Sequence, residues 1–229
     1  LRHLQRPASL LREGRAPVRV KFRLGVVRQP LRAFGLGYML CCNYGWVDQI
    51  QGKLSFSFLQ RDFYPRPCFS VYQKLNRTLS RLELKQNPPD AVVLISRTRL
   101  SEDRKAANAA LGGYNLLAST LAWCGANFSC VPEEEAGKLP TDLKLVLKSS
   151  DFESLAQGMD VPAARKAVLA ALKRSGAFHT RRAEDDEELE TYYVPGKEGG
   201  AWVFWNDGFD RAVATERAGQ KVCLEPQHG

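Results

Sequence analysis

Five consecutive apolar residues, Ala91-Val92-Val93-Leu94-Ile95, directly follow Pro88-Pro89-Asp90, and no other stretch constrains the fold as much. A strand with no polar residue on either side must be covered on both faces, as in the parallel sheet of an α/β layer structure. A polar helix start at Ser101, Glu102 and Asp103 follows. After it come helical spacing from Lys105 to Leu111, a Gly112-Gly113 pair read as a stop, and a second apolar run over residues 116–122. This order predicts a β-α-β unit with its second strand at 116–122. The expected fold class is α/β, a doubly wound and mainly parallel sheet flanked by helices, extended by a C-terminal helix and β-hairpin.

Around this unit, Val20, Phe22, Leu24, Val26 and Val27 predict a first strand over residues 18–27, and Pro30 suits the first turn of a helix running to residue 40. Gly35 and Gly37 fall inside that helix and lack the third glycine of a dinucleotide fingerprint, so they suit close packing better than phosphate cradling. Residues 68–85 place Cys68, Val71, Tyr72, Leu75, Leu79 and Leu82 within an arc of about 100°. Glu133-Glu134-Glu135 reads as a loop, and Pro140 as the start of a helix bearing Leu143, Leu145, Val146 and Leu147. A further helix runs from Val161 to Arg174, opened by Pro162 and stopped by Gly176. Residues 181–190 read as a solvent-exposed acidic tether. Thr191 to Val194, a turn, and Ala201 to Trp205 then give a strong hairpin signal. The expected division is a basic arm at 1–17, an α/β domain at 18–159 and a C-terminal extension at 160–229.

Charge is unevenly placed. The chain of 229 residues carries a net +8, yet residues 1–85 hold 16 Lys and Arg against 4 acids, and the remainder is net −4. This asymmetry points to a polyanion on one side of the molecule. On the helix at 68–85, Lys74, Arg77, Arg81 and Lys85 share the side opposite the apolar arc. Like charges at three- and four-residue spacing repel by a few tenths of a kcal/mol each, approximately, and phosphate would offset that. The Arg-rich, acid-poor and Leu-punctuated residues 1–19 also resemble an organelle transit peptide or its remnant, or equally a basic arm lying on a partner.

Catalytic chemistry finds little footing. Asp207 and Asp210 flank Gly208-Phe209 without the ligand ladder of a calcium loop, and Ser119-Thr120 lacks a Gly-x-Ser-x-Gly elbow. The six cysteines form no C-x-x-C pair and the three histidines are scattered, so buried free thiols are expected and a metal is not, unless one is assembled across the fold or with a neighbouring chain. No apolar run reaches the roughly 18 residues of a membrane span.

Taken in order, residues 18–147 resemble small-subunit ribosomal protein 2 of the bacterial and organellar type. Gly52-Lys53-Leu54-Ser55, with Trp46 nearby, is similar to the family's glycine-to-leucine-threonine segment. Pro89 to Ile95 is similar to its Pro-Asp strand, Ala106 to Gly112 to the end of the next helix, residues 116–120 to the following strand, and Val131-Pro132 to the loop before the last helix. The chain departs from the family at several points. Trp46 comes early, Ser119 or Thr120 stands where the family has an aspartate, and Glu133 to Glu135 replaces Gly-Asn-Asp. The family's coiled-coil insertion is cut to the helix at 68–85, and residues 160–229 have no recognised counterpart.

The resemblance implies a structural component of the mitochondrial small ribosomal subunit, in the matrix, without catalysis, cofactor or small-molecule substrate. Its expected partners are rRNA and other small-subunit ribosomal proteins. The cations expected to meet RNA begin with Arg19, Lys21, Arg23, Arg28 and Arg32. They continue with Lys53, Arg61 and Arg66, and end with the row Lys74, Arg77, Arg81 and Lys85. Tyr193, Trp202 and Trp205 are the expected protein contacts, with the chain truncated after Gly176 expected to keep its α/β domain folded. The competing readings are an α/β nucleotide-binding or metabolic enzyme domain and a protein–protein module that binds no RNA.

Overall fold

A computed structural model describes residues 28–36, 58–60, 62–81, 88–182, 184–196, 199–208 and 210–226. The arm at 1–17, the strand expected at 18–27 and the Trp46–Ser55 segment lie outside them. The chain is a mixed α/β protein, its described residues forming one three-stranded parallel sheet and two antiparallel hairpins.

Residues 28–35 are helical (α1), with Pro30 in the third described position. Helix α2, Pro67–Leu79, carries proline in its first turn. Strand β1, Ala91–Ile95, is the centre of the sheet. A short helix α3, Arg97–Glu102, and a long helix α4, Arg104–Trp123, follow, the latter capped by Asp103 Oδ1, which accepts from the Ala106 amide at 2.7 Å. Strand β2, Phe128–Pro132, then runs parallel to β1, pairing Ala91 with Phe128 and Ile95 with Pro132.

The second strand of the unit is therefore not at 116–122, which is the last half of α4. The glycine pair does not stop the helix. A Cβ on Gly113 would stand 2.4 Å from the Ser149 carbonyl oxygen, so glycine is required there by a close approach of backbone rather than by a turn. The helix at 140–147 is likewise replaced. Residues 141–142 turn, and Val146–Lys148 forms β3, parallel to β1 on its other edge. Glu133–Lys138, expected as loop, is a 3₁₀ turn.

Ser149–Phe152 makes a second 3₁₀ turn, leading into α5, Glu153–Gln157, and α6, Val161–Ser175. Helix α6 follows its sequence signals: Asp160 caps it, accepting from the Ala163 amide, Pro162 lies in its first turn, and Gly176 closes it at φ +63°. One core joins these layers. Ala91 and Val93 of β1 meet Leu117 and Leu121 of α4, Phe152, and Ala164, Val168 and Leu172 of α6. Val92 and Leu94 point to the other face of the sheet and are equally buried.

The C-terminal region holds the expected hairpin, β4 Leu189–Gly196 with β5 Gly199–Asn206, and a second one, β6 Val213–Arg217 with β7 Gln220–Leu224. Tyr192, Val194 and Val203 share one face of the first hairpin and pack on Leu31 and Leu36 of the α1 region. Tyr192 lies directly over Gly35, where a Cβ would stand 2.3 Å from its ring. The expected close-packing role of Gly35 is met, against a strand rather than a helix.

Candidate nucleic-acid interface

Helix α2 is amphipathic in the sense its sequence predicts. Cys68, Tyr72 and Leu79 are buried, and Phe58 packs on Tyr72 with ring centroids 4.5 Å apart. Val71, expected in the apolar arc, is exposed. The helix ends at Leu79, with Ser80 and Arg81 in the closing turn, so it is shorter than the 68–85 read from periodicity. Lys74, Arg77 and Arg81 are exposed. Among the described residues no carboxylate pairs with any of them, so none of these offsets their mutual repulsion.

Several arginines elsewhere contrast with this row. Arg28 binds Glu190 at 2.5 Å and Asp207 at 2.9 Å. Burial opposes its charge, but those two carboxylates outweigh the burial and raise its pKa. Arg28, expected to meet RNA, ties α1 to the hairpin through these two pairs. Arg32, one turn on, lines a cleft of about 470 Å³ with Ser119, Trp123, Arg165, Glu187 and Asp207. Arg66 is the residue just before α2 and is half-buried. Arg19, Lys21, Arg23, Lys53, Arg61 and Lys85 lie outside the described residues.

The acidic stretch 184–190 is not a solvent-exposed tether. Asp185 forms a buried ion pair with Arg217, Asp186 and Glu188 hold Arg211, Glu187 holds Arg165, and Glu190 holds Arg28. Arg181 is 1% exposed, donates to the backbone carbonyls of Leu189 and Asp186, and stacks 3.6 Å from the Trp123 ring centre, with Arg165 also over that ring at 4.3 Å. Burial lowers the Arg181 pKa to about 10. The sequence holds no short-range signal for this cluster, because its partners are brought together from 123, 165, 181–190, 211 and 217.

At the C-terminal end of β1, where open α/β sheets hold ligands, the first turn of α3 is already occupied. The Glu134 carboxylate accepts from the amides of Arg97 and Thr98, at 3.2 and 3.0 Å, and from the hydroxyls of Ser96 and Thr98. The backbone donors, Thr98 first, hold its pKa down to about 2. The amides that a phosphate would need are engaged by the chain's own carboxylate. Ser119 and Thr120, considered as strand-end hydroxyls, sit in α4 and donate to the Leu116 carbonyl.

Tyr193 and Trp202 are half-buried on the outer face of the first hairpin, in an aromatic row with Phe178 and Phe204. Trp205 is 3% exposed and belongs to the interior, so its ring is not available to a partner. Of the four described cysteines, all free, Cys68 and Cys124 are buried while Cys130 and Cys223 are exposed, so burial of the thiols holds for two. Among the described residues no cluster of His, Cys, Asp and Glu could hold a metal ion, and no helix is long and apolar enough to cross a membrane. Comparison of the chain with known protein families, curated proteins and solved structures gives no match.

Proposed function

We propose that this chain is a structural, rRNA-binding component of the mitochondrial small ribosomal subunit. The observation that carries the reading is the sorting of charge. Arg165, Arg211 and Arg217 are taken up by internal ion pairs, whereas Lys74, Arg77 and Arg81 stand exposed with no carboxylate paired to them among the described residues. A row of uncompensated cations on a rigid element suits phosphate oxygens, which fix position without reading sequence. The doubly wound sheet belongs to the same reading. Burial of Val92 and Leu94 on the face away from α4 and α6 supports a second covering layer, and residues 18–27 would add a strand. The basic residues 1–19 favour the matrix as its location, and the half-exposed Tyr193 and Trp202 suit a neighbouring ribosomal protein.

The test is co-sedimentation of the full chain with mitochondrial small subunits. Association is expected at low salt and release at high salt. Replacing Lys74, Arg77, Arg81 and Lys85 by Glu should weaken it and flatten its salt dependence, with each lost phosphate contact removing roughly 0.7–0.9 from the log–log salt slope. Unchanged binding and slope in that variant would sink the proposal.

A further inference from the structure

Phe63 and Tyr64 are 69% and 68% exposed, side by side at the tip of a short loop. Its described residues are tied to one another. Leu59 bridges Pro65, the Arg66 amide donates to the Phe58 carbonyl at 2.9 Å, and the Gln60 amide donates to the Tyr64 carbonyl at 2.8 Å. The Phe63 amide donates to Gln60, and Asp62 Oδ1 accepts from the Tyr64 amide. Phe58, 3% exposed, anchors the stem against Phe69 and Tyr72 of α2. Phe63 itself sits at φ +62°, a left-handed conformation that an aromatic residue rarely adopts. Among the described residues no ring or cation packs on either side chain. A stiff stem and a strained backbone thus hold two large rings out in solvent, where apolar surface is unfavourable unless something covers it.

We propose that this tip is a stacking contact for unpaired RNA bases, a deepening that rests on the RNA-binding reading above. Charge selects the occupant. The loop leads straight into α2, whose exposed Lys74 and Arg77, with Arg81 in the turn that closes it, lack carboxylate partners among the described residues. At 1.5 Å per residue they lie about 10–20 Å from Pro67 along the helix, within reach of the four or more nucleotides that a single-strand site covers. The stem lies on the apolar side of α2 and the cations on the other, so the strand crosses the helix's first turns between rings and row. Aromatic faces take bases, guanidinium and ammonium groups take phosphates, and a duplex, whose bases are already stacked, gains nothing from the rings.

The full chain is titrated against a labelled single-stranded RNA of about twelve nucleotides and a duplex of the same length. The double variant Phe63→Ala/Tyr64→Ala should lose about tenfold or more in affinity for the single strand, little for the duplex, and keep the wild-type salt slope because no charge is removed. Lys74→Gln/Arg77→Gln/Arg81→Gln should instead lower the slope by about 2. Phe63→Tyr should retain wild-type binding. Phe63→Gly, which removes the ring and relieves the backbone, should weaken binding while raising the melting temperature. Wild-type affinity in the double alanine variant, or equal loss on duplex and single strand, overturns the stacking role alone. So does loss of binding to phosphatidylserine vesicles in place of RNA, which would make the tip a membrane contact. If the wild-type chain binds neither RNA, the RNA-binding reading falls with it.

Discussion

Asp90 sits at the start of β1, where its carboxylate accepts from the Asn127 amide at 2.9 Å. Burial raises its pKa to about 6, against the lowering effect of that amide and of Lys144. The folded chain therefore binds a proton at Asp90 more readily than the unfolded chain between about pH 4 and 6. Ionising the group penalises the fold fully above pH 6, and the penalty is relieved as pH falls toward 4. Because the group is partly solvated, the effect is about 1–2 kcal/mol at most. Asp90→Asn keeps an acceptor for the amide and removes the titration. Urea midpoints of the two proteins across pH 4–7 should diverge as pH rises, with the variant the more stable at pH 7. Parallel curves would show that Asp90 ionises as freely in the fold as outside it. Pro88-Pro89-Asp90 marks the strand's start in the sequence, but the burial that raises this carboxyl, and the Asn127 amide and Lys144 that oppose it, come from the tertiary fold.

Among the elements, the two glycines of α4 separate local preference from packing. Gly112 and Gly113 both weaken a helix relative to alanine by up to about 1 kcal/mol. A Cβ on Gly112 would meet only the Ala156 methyl at 3.6 Å, an ordinary contact, whereas one on Gly113 would run into the backbone of Ser149 and Glu153. Gly112→Ala is thus expected to stabilise the protein by several tenths of a kcal/mol, roughly. Gly113→Ala should destabilise it by about 1–3 kcal/mol. Thermal unfolding of the two single variants checks the pair, and equal shifts of the same sign would refute the close approach. The glycine pair has the character of a helix stop in sequence, which shows the propensity and not the neighbour. The seven-residue apolar run after it fits a buried strand and a buried helix equally. For β3 the sequence carries two competing signals: Leu143, Leu145 and Leu147 alternate at the strand period, while Pro140 suits the opening of a helix.

Across the whole molecule, the C-terminal region is fastened to the α/β layers at several points. The Arg181 amide donates to the Cys124 carbonyl at 3.1 Å, the Trp123 indole donates to the Glu187 carbonyl at 3.3 Å, and the hairpin covers α1. Truncation after Gly176 removes all of these at once and strips the cover from Leu31 and Leu36. The truncated chain is expected to lose about 3 kcal/mol or more of stability, with amide exchange at residues 28–36 rising toward that of an unfolded peptide. Full stability in the truncated chain would return the region to the independent extension its sequence suggested. Several features followed from local sequence alone. β1 rests on unbroken apolar character, α6 on its cap, proline and glycine, the first hairpin on its β-branched and aromatic flanks, and the two faces of α2 on helical period. These are consequences of backbone preference and hydrophobic spacing over a few residues. What tertiary structure decided is the fate of charge and glycine. Whether an acid is a tether or an ion-pair partner, and whether a glycine ends a helix or admits a neighbour, depends on groups 30 to 160 positions away. Electrostatic pairing and steric approach act through space, and sequence spacing does not encode them.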